Sequence, residues 1–352
     1  MRYLEGWTET PMNSFVDYTP ETSVSVIIAA YNEELFILEC VRSILANNYP
    51  QELLEVIVVD NGSQDNTRSK LDSIEDLRLK VISQEEGNKK ESIEKGIKYS
   101  KNDFLLFTDA DCVVGEAWVK SMIYRCEKQG GNCVLGPLKI GGYHNFITRF
   151  QAFDMLAMMG ITCGGLKKEI GYLANGGNFG YERKIYQQIS EIPKKEIASG
   201  DDVMMLHEIV KLPDSKILFQ KDEKSIVTTQ AQSTWNTLIQ QRIRWASKAT
   251  SYVHKKDVYI NAFVFFLCAS IVINVILTPL TGGVSLFFAL LQLLIKGAVD
   301  YAFIDRVNVF FGQKHLKNYF VSSFLVHVVY IVFTGLTGLL GVSYKWKGKG
   351  LR

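Results

Sequence analysis

The chain has 352 residues, enough for one large domain with an appendage or for two ordinary domains. A net charge of only +2 argues against a nucleic-acid partner, whereas 47% hydrophobic residues is high for a soluble protein of ordinary charge. The excess is uneven: residues 1–256 read as mixed globular sequence, and 257–352 hold three long apolar stretches.

Residues 1–22 are polar, carry Pro11 and Pro20, and read as a loosely held leader. No basic stretch followed by an apolar run opens the chain, so no signal peptide is expected and residues 1–256 should stay in the cytoplasm. From Ser23, strands alternate with helices. Val24–Ala30 is a continuous apolar run, as in a strand buried on both faces. Apolar residues at Leu38, Val41, Ile44 and Leu45 predict a helix over 33–48, with Asn32 as its N-cap. Leu54–Asp60 is a second strand, rich in β-branched residues and closed by the turn Asn61-Gly62-Ser63. Residues 77–83 and 104–108 give two more strands, with a helix around Ile93 and Ile97 between them. This alternation implies βαβ units and an α/β fold with a mainly parallel sheet flanked by helices. Ligands of such sheets bind beyond the carboxyl ends of the strands. Attention therefore falls on Tyr31-Asn32-Glu33, Asp60-Asn61 and Asp109-Ala110-Asp111.

Further on, 144–160 has broad apolar faces, suited either to a core helix or to one lying against a membrane interface. Stretches 259–278, 284–304 and 319–340 are each long enough to cross a bilayer at about 20 residues per span. The middle one carries Lys296 and Asp300, four residues apart and able to pair inside a helix bundle. Basic residues flank this region: Arg242, Arg244, Lys248, Lys255 and Lys256 before it, and Lys345, Lys347, Lys349 and Arg352 after it. They suit anionic headgroups, but three spans would put the basic tail on the side opposite residues 1–256, against the positive-inside rule. Six cysteines (Cys40, Cys112, Cys126, Cys133, Cys163, Cys268) lack CxxC or metal-ligand spacing and read as reduced core residues.

Several of these segments can carry chemistry. Asp109 and Asp111, alternating directly after a strand, can both face one divalent cation that shares its oxygen ligands with a diphosphate. Asp60 can accept a hydrogen bond from a base or ribose, or simply form a turn. Asp201-Asp202 precedes a helical pattern and is either a helix-start charge or a general base. Gln240–Trp245 brings cations and an indole onto a helix just before the apolar region, as membrane-interface residues or as part of a site.

Taken in order, VSVIIAAYNEE (24–34), VDNGSQDNT (59–67), FTDADC (107–112), NGGNFGYER (175–183), SGDDV (199–203) and QQRIRW (240–245) resemble family 2 glycosyltransferases of the GT-A fold. Within that family the likeness is to the membrane-attached branch that includes cellulose, chitin and hyaluronan synthases. The resemblance implies that Ala30, Tyr31 and Glu33 line a nucleoside pocket and that Asp60 reads the base. It places Lys89 near the donor phosphates, with Asn88 where a glycine is expected. Asp109 becomes the acid on the sugar and ribose side, and Asp111 the principal ligand of Mg²⁺ or Mn²⁺. Gly177 and Asn178 fall in the loop beside the acceptor, with Asp201 standing where the family often has Glu. Asp202 is the implied catalytic base. Gln241, Arg244 and Trp245 match QxxRW, with Arg244 reaching the donor diphosphate and the other two facing the acceptor.

The resemblance implies an inverting transfer from a nucleotide sugar, most readily a UDP-sugar, and the small number of apolar stretches favours a membrane lipid or lipid-linked acceptor. The expected organisation is a leader (1–22), a GT-A domain (23–230), an interfacial helix region (231–256) and a membrane region (257–352) of a multi-pass protein in the cell membrane. A processive synthase generally needs more spans to build a tunnel. A dinucleotide-binding oxidoreductase needs a glycine-rich turn after the first strand, which Ala29-Ala30-Tyr31-Asn32 lacks. A non-catalytic scaffold of the same fold would be expected to lack Asp111 or Asp202, and both are present.

Overall fold

The protein is described from a computed structural model. The structure describes all residues except 14, 16, 86, 191–201, 250–254, 341, 343, 347–348 and 352. In chain order, the first half comprises α1 (Arg2–Glu9), β1 (Val24–Ala30), α2 (Ile37–Leu45), β2 (Leu54–Asp60), α3 (Thr67–Asp72), β3 (Leu79–Ser83), α4 (Lys89–Tyr99), β4 (Phe104–Phe107), α5 (Trp118–Gln129), β5 (Cys133–Leu135), β6 (Leu138–Gly141) and α6 (Phe146–Lys168). There follow β7 (Phe179–Glu182), α7 (Arg183–Ser190), α8 (Asp202–Lys211), β8 (Ile217–Phe219), β9 (Val227–Gln230), α9 (Trp235–Ala249), α10 (Lys255–Ile276), α11 (Val284–Phe311) and α12 (Phe320–Leu339), then a short antiparallel pair, β10 (Tyr344–Trp346) and β11 (Lys349–Leu351).

Two compact units result: Thr8–Gly141 with Tyr172–Gln230, and Met1–Trp7 with Gly142–Gly171 and Ala231–Arg352. Thus Gly142–Gly171, inside the stretch 23–230 expected as one domain, groups with the C-terminal helices. Among the described residues the main sheet of this unit has seven strands, in the order β3-β2-β1-β4-β7-β5-β8, and β6 pairs with β9 apart from it. Its parallel part is the predicted one: β1 runs parallel to β2 from Val24↔Leu54 to Ala30↔Asp60, and parallel to β4 from Val24↔Phe104 to Ile27↔Phe107. These central strands are covered on both faces, which explains their unbroken apolar sequence. β7 is antiparallel to β4 and β5, so the sheet is mixed.

Asn32 does not cap a helix. α2 starts at Ile37 after Phe36, and Asn32 takes a left-handed backbone (φ 51°). Its Oδ1 accepts the Gln64 N–H at 2.8 Å and its own N–H donates to Ser63 Oγ at 3.0 Å. The side chain therefore braces the loop after β2, and left-handed geometry is one that Asn tolerates.

Among the described residues, the second unit contains three helical segments long and apolar enough to cross a membrane: Val258–Ile276, Val284–Phe311 and Lys314–Leu339. The middle one is longer than the sequence pattern suggests. Cys268 and Ile271 of α10 and Val328 of α12 form a buried cluster. Gln292 donates to Ser270 Oγ at 3.0 Å, joining α11 to α10 by a polar contact of the kind that links helices in lipid. Lys296 and Asp300 pair as their spacing predicts. In the same unit α1 buries Trp7 edge-on to Phe310, with centroids 5.6 Å apart, so the start of the expected leader is an ordered helix.

Candidate active site

The site residues of the sheet unit gather at the carboxyl edge of β1, β2 and β4. Ala30 ends β1, and its carbonyl accepts the Asn61 N–H at 2.9 Å, tying the loops after β1 and β2 together. Glu33 N donates to Thr67 Oγ1 at 2.7 Å, which fixes the Tyr31–Glu33 turn against the start of α3. Asp60 is buried at the end of β2; its Oδ1 accepts Ser63 N–H at 3.1 Å in the turn that Asp-Asn-Gly-Ser predicts.

α4 begins with a capping box: Asn88 accepts the Glu91 N–H, and the Glu91 carboxylate accepts from Asn88 N–H. The polar residue found where a glycine was expected thus starts the helix, and Lys89 is its first residue. The Lys89 ammonium pairs with Asp109 Oδ1.

Tertiary register completes the site. β7 pairs antiparallel with β4 through Phe107↔Phe179, so the residues before β7 lie against those after β4. Thr108 Oγ1 donates to the Gly177 carbonyl at 2.9 Å. A Cβ on Gly177 would stand 3.3 Å from Cys112 Sγ and 3.5 Å from Asp109 Oδ2, so the loop passes close beside both side chains. A Cβ on Gly176 would meet Asp202 Oδ2 at 3.5 Å and Lys89 Nζ at 3.7 Å. Asp202, the first residue of α8, is oriented by two N–H donors, Gly176 to Oδ2 and Val203 to Oδ1. Lys89, Asp109, Gly177 and Asp202 are therefore neighbours, although they are scattered over more than a hundred positions of sequence.

Asn178 has its side chain turned into the core. It is 0% exposed. Its Oδ1 accepts the Trp118 indole N–H at 3.0 Å, and its Nδ2 donates to the carbonyls of Pro137 (2.8 Å) and Ser225 (2.9 Å). It anchors the Gly176–Gly177 loop from behind. Gly176, Thr108 and Trp118 were not singled out from sequence; the NGGN run was the only local hint.

Asp109, Asp111 and Cys112 place their ligand atoms within 4.8 Å of one another. Burial, then Asp109 and Glu33, push the Asp111 carboxyl up to about 6, against an opposing effect of Lys89. A cation would relieve that crowding of negative charge. Burial and both aspartates also push the Cys112 thiol well up, so it is a neutral thiol at neutral pH and a poor ligand for a hard ion. Two carboxylates beside a neutral thiol fit Mg²⁺ or Mn²⁺ better than a thiolate-seeking metal.

Gln241, Arg244 and Trp245 lie on α9 of the other unit. There Arg242, which was not assigned a site role, sits with its guanidinium carbon 4.1 Å from the Trp245 ring centroid. Its partner is Asp154, a lone acid within an apolar run, and that isolation was a usable signal. Asp201 lies outside the described residues.

Residues 25–190 match the family model "Glycosyl transferase family 2". The glycosyltransferase AglE of Haloferax volcanii is 28% identical over 182 residues, 51% of this chain and 58% of that protein. A Methanococcus voltae enzyme named as a dolichyl N-acetyl-α-D-glucosaminyl phosphate 3-β-D-2,3-diacetamido-2,3-dideoxy-β-D-glucuronosyltransferase is 24% identical over 208 residues, 56% of this chain and 57% of its own length. The chain thus spans little more than half of these relatives. The mannosyltransferase PcManGT of Pyrobaculum calidifontis, solved with GDP-Man and Mn²⁺, shares the fold at a TM-score of 0.58 and 16% identity, over 97% of this chain and 94% of that one. The fold is therefore GT-A. Residues 25–190 are thus similar to the family 2 glycosyltransferases, as the sequence motifs imply.

Proposed function

We propose that the protein moves one sugar, or a few, from a nucleoside-diphosphate sugar, most readily a UDP-sugar, to a hydroxyl of a membrane lipid or lipid-linked acceptor, with inversion at the anomeric carbon. The observation that carries this reading is the convergence of Lys89, Asp109 and Asp202 around Gly176 and Gly177 at the sheet edge. The nucleoside lies along Ala30, Tyr31, Glu33 and Asp60. Lys89 faces the donor phosphates, and its pairing with Asp109 keeps both at the same edge. Asp202, held by two backbone N–H groups, takes the proton of the acceptor hydroxyl onto its carboxylate as the oxygen attacks. Asp111 and Asp109 would hold Mg²⁺ or Mn²⁺, which supplies neutralising charge for the departing diphosphate.

Three helices able to cross a membrane favour a lipid acceptor, and the Methanococcus relative is named for a dolichyl phosphate sugar. On this reading the sheet unit works in the cytoplasm, 231–256 lies at the surface of the cell membrane, and 257–352 anchors the chain. The test is release of nucleoside diphosphate by the full chain in detergent, from a panel of nucleotide sugars with membrane lipid extract and Mn²⁺ or Mg²⁺. Release from one donor with labelling of lipid, lost in Asp111→Asn and Asp202→Asn, supports the reading. A growing polymer in place of a short product points to a processive synthase, and no release by folded protein sinks transfer altogether.

A further inference from the structure

Asp154 is the only charged residue of α6 between Arg149 and Lys167, and it is buried. Its Oδ2 lies 2.7 Å from Nη2 of the equally buried Arg242, and its Oδ1 lies 3.9 Å from His327 Nε2 of α12. Arg242 Nη1 approaches Met158 Sδ at 3.8 Å, and the guanidinium carbon is 4.1 Å from the centroid of the Trp245 ring. Arg242 Nε is buried without a hydrogen-bond acceptor.

Stability is a weak reason for such a pair. Desolvating two charges offsets most of their attraction, and apolar residues of similar volume commonly pack as well. What the pair supplies is direction. The carboxylate holds one terminal nitrogen of a rigid planar cation at ion-pair distance, and the same cation lies against the indole, something an ammonium or an aliphatic side chain cannot do equally.

We propose that Asp154 and Arg242 are positioning residues: Asp154 orients Arg242, and Arg242 sets the indole of Trp245 for use of the acceptor. The proposal rests on the transferase reading only for that last step. The position of the ring is measurable without turnover.

The experiment uses the full chain in detergent, carrying Arg242→Lys, Asp154→Asn, or the charge swap Arg242→Asp with Asp154→Arg. Trp245 emission is obtained by difference from the same proteins carrying Trp245→Phe. Arg242→Lys keeps a cation near Asp154 but removes the planar face. We expect Trp245 emission to shift to the red, and the half-saturating amount of membrane lipid extract to rise about tenfold. Half-saturation by the nucleotide sugar and the thermal midpoint stay near those of the wild type. The swap recovers thermal stability over Asp154→Asn without recovering the emission or the acceptor saturation. Wild-type emission in Arg242→Lys, or full recovery of both properties in the swap, overturns the proposal. If the wild type releases no nucleotide, the transferase reading fails, and the emission comparison alone decides the positioning of Trp245.

Discussion

Gly176 donates its backbone N–H to Asp202 Oδ2, and a methyl group at position 176 would stand 3.5 Å from that oxygen and 3.7 Å from Lys89 Nζ. One glycine thus separates the proposed base from the proposed phosphate-side cation. Gly176→Ala meets only ordinary van der Waals distances, so the fold should tolerate it. The added methyl group would fill space beside the carboxylate. Turnover is expected to fall about tenfold or more with an unchanged thermal midpoint. A wild-type rate in this variant would mean that the acceptor does not approach Asp202 from this side.

Asp202→Asn keeps the shape of the side chain and removes the proton acceptor. General-base assistance is worth about 10²–10⁴ in rate, so turnover should drop by that factor. Nucleotide binding, measured by calorimetry, should be retained. Equal loss of binding and turnover would assign Asp202 to the donor instead.

Asn178→Ala removes the acceptor of the buried Trp118 indole N–H and two donations to backbone carbonyls. Leaving that indole group unpaired in the core should cost roughly 2–4 kcal/mol, read as a lower thermal midpoint. Asn178→Asp keeps an acceptor for the indole but turns a carboxylate oxygen toward two carbonyls in the core, and should lower the midpoint at least as far. A surface role predicts no change in either variant.

Asp111 predicts the pH dependence of metal binding. Its carboxyl is raised to about 6 by burial, Asp109 and Glu33, so the folded protein holds that proton at a pH where the unfolded chain has lost it. The sign follows: without metal, this group's contribution to stability declines as pH rises from the ordinary carboxylate range to about 6, then levels off. Mn²⁺ must displace the proton below that point and relieves the charge above it. The rise in thermal midpoint given by Mn²⁺ should therefore be larger at pH 7.5 than at pH 5. Lys89→Ala removes the cation that lowers the Asp111 value, and should move the onset to higher pH. An ion effect independent of pH, or one unchanged in Asp111→Asn, would exclude this carboxylate as the ligand.

Much of this was legible in the chain itself, for a physical reason. β1 and β2 are bounded as their apolar runs predict, because a strand covered on both faces must be apolar along its whole length. The pairing of Lys296 with Asp300 and the three apolar helices likewise follow from local spacing and length. Asp109, Asp111 and Asp202 stood out because carboxylates directly after a strand or at a helix start are placed by the backbone that carries them. What local pattern could not decide was which loops meet. The antiparallel entry of β7 beside β4 brings Gly176 and Gly177 to Asp109, and with them Asp202 to Lys89. The same register turns Asn178 inward, where its hydrogen bonds are used by Trp118, Pro137 and Ser225. The Asp154–Arg242 pair belongs to this second kind, since it joins helices far apart in the chain. Periodicity records which face of an element is buried, and only the assembled fold settles what that face is buried against.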